Sequence, residues 1–394
     1  MKLFRYFLLF ATFLTIASCR DELQVYYPMA DITDGEDSIS RDTTNSTITE
    51  YLGFYVINEG NMGSNQASLD YYDFASSTYL RNIFPERNPN QVMELGDVGN
   101  DVKIYGDQLW LVINCSNKIE VCDKYTAVSR GHIDIPNCRY VCFSDGYAYV
   151  SSYVGPVGGT SVLGSVYKVD TTTLKVVGTV TVGYQPDELD IVDNKLYVAN
   201  SGGYQAMQGK GYDWTVSVID LNTFTEERKI RVAPNLFRLR ADSKGRVWVA
   251  SRGDRMGIPS RLYLLERDKD GQMQLADSVK TRVTDFAFRG DSIYYFGTVG
   301  NKPQFGIIDM NTLEIVNRQP VTMPDGRNFQ TVYGLALHPI TGDIYVLDAT
   351  NYTSSGYLFC FDSEGNYRWD TLTGQIPSRI AFLSKTYPAL PEDN

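Results

Sequence analysis

"YVANSGGYQAMQGKGYDWTVSVID", residues 197–220, begins and ends as β-strand with a long loop between. The opening YVAN and the closing VSVID are apolar, β-branched runs of the kind found in strands covered on both faces. Two residues would suffice to join them. Instead, residues 201–214 hold four glycines, two tyrosines and a tryptophan. The closing motif, an apolar or aromatic strand ending in an acid, recurs along the chain. It reads LDYYD (69–73), IEVCD (119–123), VYKVD (166–170), VSVID (216–220), LYLLE (262–266), FGIID (305–309) and LFCFD (358–362). The terminal acids lie 50, 47, 50, 46, 43 and 53 residues apart. Seven copies at this period are the mark of propeller blades.

A second strand precedes each copy: FYVIN (54–58), LWLVIN (109–114), AYVSS (148–152), LYVAN (196–200), VWVAS (247–251), IYYFGT (293–298) and IYVLD (344–348). A third precedes six of these: DVKIY (101–105), RYVCF (139–143), ELDIV (188–192), LFRLR (236–240), TDFAF (284–288) and YGLAL (333–337). The first unit has no such strand upstream, and SRIAFL (378–383) at the far end supplies it. The expected fold is therefore all-β: a seven-bladed β-propeller over residues 51–385, closed by the C-terminal strand completing the first blade, with a tail over 386–394. Closure removes the open edges that a half-finished blade would leave. The turns after the acids, such as DTTTLK and DLNTFT, read as Asp-capped turns rather than as a ring of metal ligands. RDKDGQ (267–272) lacks the downstream Glu of a calcium loop and reads as an ordinary turn.

The chain opens MKLFRYFLLFATFLTIASCRDE. A short basic region with Lys2 and Arg5 leads into an apolar run from Phe7 to Ile16, too short to span a bilayer. The small residues before Cys19 resemble a bacterial lipobox. Residues 1–18 are thus expected to be a lipoprotein signal peptide, with Cys19 lipidated and the protein held on the outer membrane. Several acyl chains on one Cys anchor firmly, at about 0.8 kcal/mol per buried methylene. The acidic pair Asp21–Glu22 resembles the surface-export signal of bacteroidete-type lipoproteins. Residues 20–50 carry eight acids and two Arg, and with Cys19 read as a disordered acidic tether.

The formal charge is −11, and no Lys/Arg block occurs, which argues against nucleic acid as a partner. Beyond Cys19 the cysteines are Cys115, Cys122, Cys138, Cys142 and Cys360, with no C-x-x-C. With only two His, a zinc site is not expected. A Cys115–Cys138 disulfide is conceivable, since both sit at strand ends on one side. Cys138 and Cys142 cannot pair within one extended strand.

In a propeller, the loops between second and third strands share one face with the blade-to-blade connections. Here that face carries the long segments NEGNMGSNQ (58–66), YVGPVGGTSVLG (153–164), SGGYQAMQGKGYDW (201–214), RGDRMGIPS (252–260) and TNYTSSG (350–356). The opposite face has mostly short turns. Elaboration confined to one face is how a scaffold carries function. The candidate ligand-binding residues are Tyr153, Tyr204, Tyr212, Trp214 and Tyr352 as aromatic planes, with Arg252 and Arg255 as planar donors. Arg139, Tyr184 and Arg327 join them from the blade-to-blade connections. No nucleophile arrangement is legible and no cofactor is expected, so a binding protein is favoured over an enzyme. The alternative enzyme is a calcium-dependent, lactonase-like hydrolase using Asp101, Glu188 and Asp285 at the inner-strand starts.

FYVINEGNMGSNQASLDYYD, NKLYVAN and TVSVIDLNT resemble the YncE-like seven-bladed propeller family over residues 53–383, in particular its bacteroidete surface lipoproteins. One branch, the BtuG-like lipoproteins, implies cobalamin or a related corrinoid as ligand and a TonB-dependent outer-membrane transporter as partner. A glycan is the alternative ligand, and a purely protein-interacting propeller the alternative role.

Overall fold

The computed structural model describes residues 25–26, 39–42, 47–91, 94–155, 162–300, 302–324 and 326–388. Seven antiparallel sheets follow one another along the chain. Blade 2 comprises Gly99–Tyr105, Gln108–Ile113, Lys118–Asp123 and Ser129–Asp134, ordered from the axis outward. Blades 3 to 7 repeat this order, starting at the inner strands Cys138–Ser144, Pro186–Val192, Leu236–Ala241, Asp285–Arg289 and Val332–Leu337. Blade 1 is built from both ends. Its inner strand is Pro377–Pro388, paired with Thr47–Asn58, which is followed outward by Ser68–Asp73 and Thr78–Leu80. The expected seven-bladed, C-terminally closed propeller is what forms.

The physical cause lies in the second strands. LWLVI, VWVAS and IYVLD are buried along their whole length because each blade is flanked on both faces. Seven apolar clusters result, each at the junction of two neighbouring blades. The junction of blades 7 and 1 holds Phe54, Tyr72, Tyr345 and Trp369. Trp110 and Trp248 fill the junctions of blades 2 with 3 and 5 with 6. Trp248 keeps its indole N–H satisfied by donating to Asp242 at 2.9 Å.

The terminal acids cap turns as expected. Thr126 N–H donates to Asp123, Thr173 N–H to Asp170, Thr223 N–H to Asp220 and Thr312 N–H to Asp309. Blade 5 departs from this: Asp268, not Glu266, accepts the turn amides of Asp270 and Gln272. The RDKDGQ segment is thereby an ordinary capped turn. All five cysteines beyond Cys19 are free, so Cys115 and Cys138 are not joined. Cys138 instead directs its thiol toward the carbonyl of Lys118 at 3.4 Å.

Part of the stretch expected as a tether is structured. Ile39–Asp42 pairs with Thr47–Glu50, which on its other side pairs with Lys385–Pro388. Val25–Tyr26 pairs with Tyr79–Leu80 on the outer edge of blade 1. The propeller therefore recruits upstream strands to cover an open edge. This extension stands on the face opposite the long loops, because Thr47–Asn58 runs from that face toward them. Of the tail expected over 386–394, residues 386–388 extend the last strand, and residues 389–394 lie outside the described residues, as do Cys19 and the rest of the signal.

Candidate functional site at the axial mouth

The inner strands begin on the loop face, so their first residues ring the mouth of the axial channel. Asp187, second in the blade 4 inner strand, is the hub. It is buried and accepts a hydrogen bond from the Tyr153 hydroxyl at 2.7 Å. The Arg139 Nε approaches it at 3.4 Å and Arg252 Nη1 at 3.6 Å. The Arg139 guanidinium also lies over the Tyr153 ring, 4.8 Å from its centre. Arg252 covers Phe237 at 3.7 Å. Such stacked guanidiniums keep donor edges free for a ligand.

Tyr204 arrives from the long loop of blade 4, residues 201–214. Gly203–Met207 forms a short helix there and sets Tyr204 edge-to-face against Tyr153, centroids 6.0 Å apart. The loop turns through Gly202 at φ 59°, where a Cβ would come within 2.2 Å of the Asp213 amide nitrogen. Only glycine allows that reversal without strain. Across the mouth, Tyr352 stands edge-on to Tyr333 at 5.9 Å. Tyr333 donates to Glu59 at 2.9 Å. Burial pushes the Glu59 carboxyl up, against the opposing pull of that hydrogen bond and of Arg139 and Arg238.

Below the mouth the channel is closed by a buried ionic cage. Arg240 Nη2 bridges Glu188 at 3.1 Å and Asp285 at 2.8 Å. Arg379, from the last strand, reaches Asp285 at 2.7 Å and Glu188 at 3.5 Å. Arg238 approaches Asp285 at 3.6 Å and bonds the Tyr140 hydroxyl. Burial alone would raise the Asp285 carboxyl, but Arg240, Arg379 and Arg238 hold it at about 2. Glu188 is lowered by the same guanidiniums against the same burial. The cage thus ties blades 1, 4, 5 and 6 together across the axis.

The structure unites five of the ten predicted binding residues at the mouth: Arg139, Tyr153, Tyr204, Arg252 and Tyr352. The other five stand elsewhere. Trp214 lies on a flank of blade 4, where Arg231 stacks on it at 4.4 Å. Tyr184 belongs to the corner between blades 3 and 4, its amide held by Asp213 at 2.9 Å. Tyr212 shares that corner, with no ring or polar contact to the mouth among the described residues. Arg255 sits on an exposed loop tip at φ 61°. Arg327 is locked in a two-pronged ion pair with Asp370 beside Phe359, on the outer part of blade 7.

Sequence reasoning missed Asp187, Phe237, Tyr333 and Glu59. For Asp187, Phe237 and Tyr333 the signal was positional, since each stands second in its inner strand, at the loop face; Glu59 follows the second strand of blade 1. The carboxylates expected to hold calcium do converge, but Arg240 and Arg379 lie between Glu188 and Asp285. Asp101 accepts backbone amides instead, from Val141 at 3.2 Å and Val102 at 3.0 Å. No cluster of His, Cys, Asp and Glu among the described residues has the arrangement of a metal site.

The profile of a family described as a domain of unknown function, DUF5074, matches residues 52–391. The chain belongs to the DUF5074 family. No curated protein sequence matches it. Among solved structures, a hypothetical selenium-binding protein from Sulfolobus tokodaii superposes with a TM-score of 0.61 at 11% identity, covering 84% of this chain and 93% of that one. A quinonprotein alcohol dehydrogenase-like protein from Bacteroides thetaiotaomicron gives 0.58 at 12%, covering 84% and 78%. Hydrazine synthase from Kuenenia stuttgartiensis gives 0.55 at 13%, covering 68% and 77%. At these identities the likeness is one of fold, and this DUF5074 propeller carries its own mouth.

Proposed function

We propose that this protein is a surface-anchored binding lipoprotein that captures a small nutrient ligand at the axial mouth, with a corrinoid such as cobalamin as first candidate. The observation that carries the reading is the convergence of Arg139, Arg252 and Tyr153 on Asp187, with Tyr204 packed edge-to-face on Tyr153. A rigid ring of aromatic faces and planar donors suits a large ligand with a polar fringe. The strand that follows the tether starts on the opposite face, which favours a mouth directed away from the lipid anchor. Met62, Met207 and Met256 are exposed at loop tips around the mouth, a surface suited to docking a TonB-dependent transporter. The lactonase-like alternative is disfavoured because guanidiniums take up the carboxylates a calcium ion would need.

The test is calorimetric titration of cobinamide and cobalamin into the full chain carrying Cys19→Ser. Saturable binding at micromolar concentration or tighter, weakened at least about tenfold by Arg139→Ala or Tyr204→Ala, is expected. No binding of either corrinoid would end that version. Glycan-array binding lost in Tyr204→Ala would then move the assignment to carbohydrate.

A further inference from the structure

The channel does not end at the ionic cage. Beneath it, toward the turn face, lies a cavity of about 310 Å³. Its two walls differ in chemistry. Leu335, Leu337, Ile380 and Phe382, from blades 7 and 1, make one side apolar. Lys103 and the cage groups, from blades 2, 4 and 5, make the other side charged.

Lys103 sets the character of the site. It follows Asp101 by two residues on the blade 2 inner strand, so the two share one strand face, Asp101 buried and Lys103 exposed. Glu188 and Asp285 are matched by Arg240 and Arg379. Asp101 and Asp190 are held by the amides of Val141 and Ala241. The exposed Lys103 makes no direct ion pair or hydrogen bond among the described residues, and its charge opposes the rise that burial gives the Asp101 and Asp190 carboxyls. Lys103 thus lines a cavity whose carboxylates already hold other donors and whose far wall is hydrocarbon.

We propose that this cavity is a second ligand site, distinct from the loop-face mouth, which takes a small organic carboxylate. Its anionic head pairs with Lys103 and its apolar body lies on Leu335, Leu337 and Phe382. The size fits: a cavity of about 150 Å³ holds one benzene ring, so this one holds a body of about two fused rings.

The probe is 2-naphthoate, titrated by fluorescence into the full chain carrying Cys19→Ser, kept free of detergent. Binding of one equivalent is expected, weakened at least about tenfold in Lys103→Met and retained in Lys103→Arg. The uncharged 2-naphthalenemethanol should bind both parent and Lys103→Met equally. Arg139→Ala should leave naphthoate binding unchanged, which separates this site from the mouth. Unchanged melting curves show that the variants fold. The proposal is overturned if naphthoate shows no saturable binding up to about 1 mM, if Lys103→Met binds it as well as the parent, or if Arg139→Ala abolishes binding.

Discussion

The two faces of the disc are built by the same strands and obey different rules. On the turn face, chain reversals are short and repeat one device, an acid accepting amides two and three residues on, as at Asp170, Asp220 and Asp309. On the loop face, second and third strands are joined by a tight turn at Asn114–Asn117 in blade 2 and by an excursion with its own helix in blade 4. Asp187, Glu188 and Arg139 are buried or half-buried there, while Met207 and Met256 are 80% and 94% exposed. A repeat kept regular where it serves only folding, and broken where charge and aromatic rings collect, marks the side on which function is carried.

The sharpest way to break this contrast is to open the ring. Truncation after Gly374 removes the inner strand of blade 1 and with it Arg379. We expect loss of the cooperative thermal transition and aggregation; a truncated chain that melts like the parent would refute ring closure as the source of stability. Next in size is the cage. Asp285→Asn leaves Arg240 and Arg379 short of a buried partner and should cost about 3–5 kcal/mol in denaturant unfolding.

Acid titrates the same group. Its folded pKa of about 2 lies below the unfolded value of 3.8, so its stabilisation is present above about pH 4 and is lost as pH falls toward 2. That loss amounts to about 2 kcal/mol, and the pH dependence of unfolding should flatten in Asp285→Asn. Burial holds His338 at about 4, below its ordinary 6.5. Its neutral form is the folded one, so stability should decline as pH falls from about 6.5 to 4. His338→Gln should remove that part of the slope.

Smaller effects separate the faces themselves. Gly202→Ala should cost about 1–3 kcal/mol and displace Tyr204, weakening ligand at the mouth. Asp170→Ala, a cap on the turn face, should cost about 1 kcal/mol and leave binding untouched. Equal effects of these two on ligand affinity would dissolve the distinction between the faces.

Particular residues show what could be read in advance. The strand ending in an acid exposed the blade count because each blade must bury two faces, which forces apolar runs of fixed length. SRIAFL stood out because a propeller needs an inner strand for every blade. Tyr153 and Trp214 looked alike as loop aromatics, yet one is drawn to Asp187 and the other is stacked under Arg231. Loop composition gives the inventory of side chains, and the path of the loop over its neighbours gives their direction.

The seven blades, their closure and the face that bears long loops are legible in the residues alone, because burial on both sides of a strand and turn chemistry are local demands written into each repeat. The assembled disc alone brings Arg139 and Tyr153 to Asp187, with Tyr204 against Tyr153, and sets Arg240 and Arg379 between Glu188 and Asp285. Those guanidinium contacts join blades separated by 45 to 191 residues. Their geometry is set by how the disc closes, which no single repeat specifies.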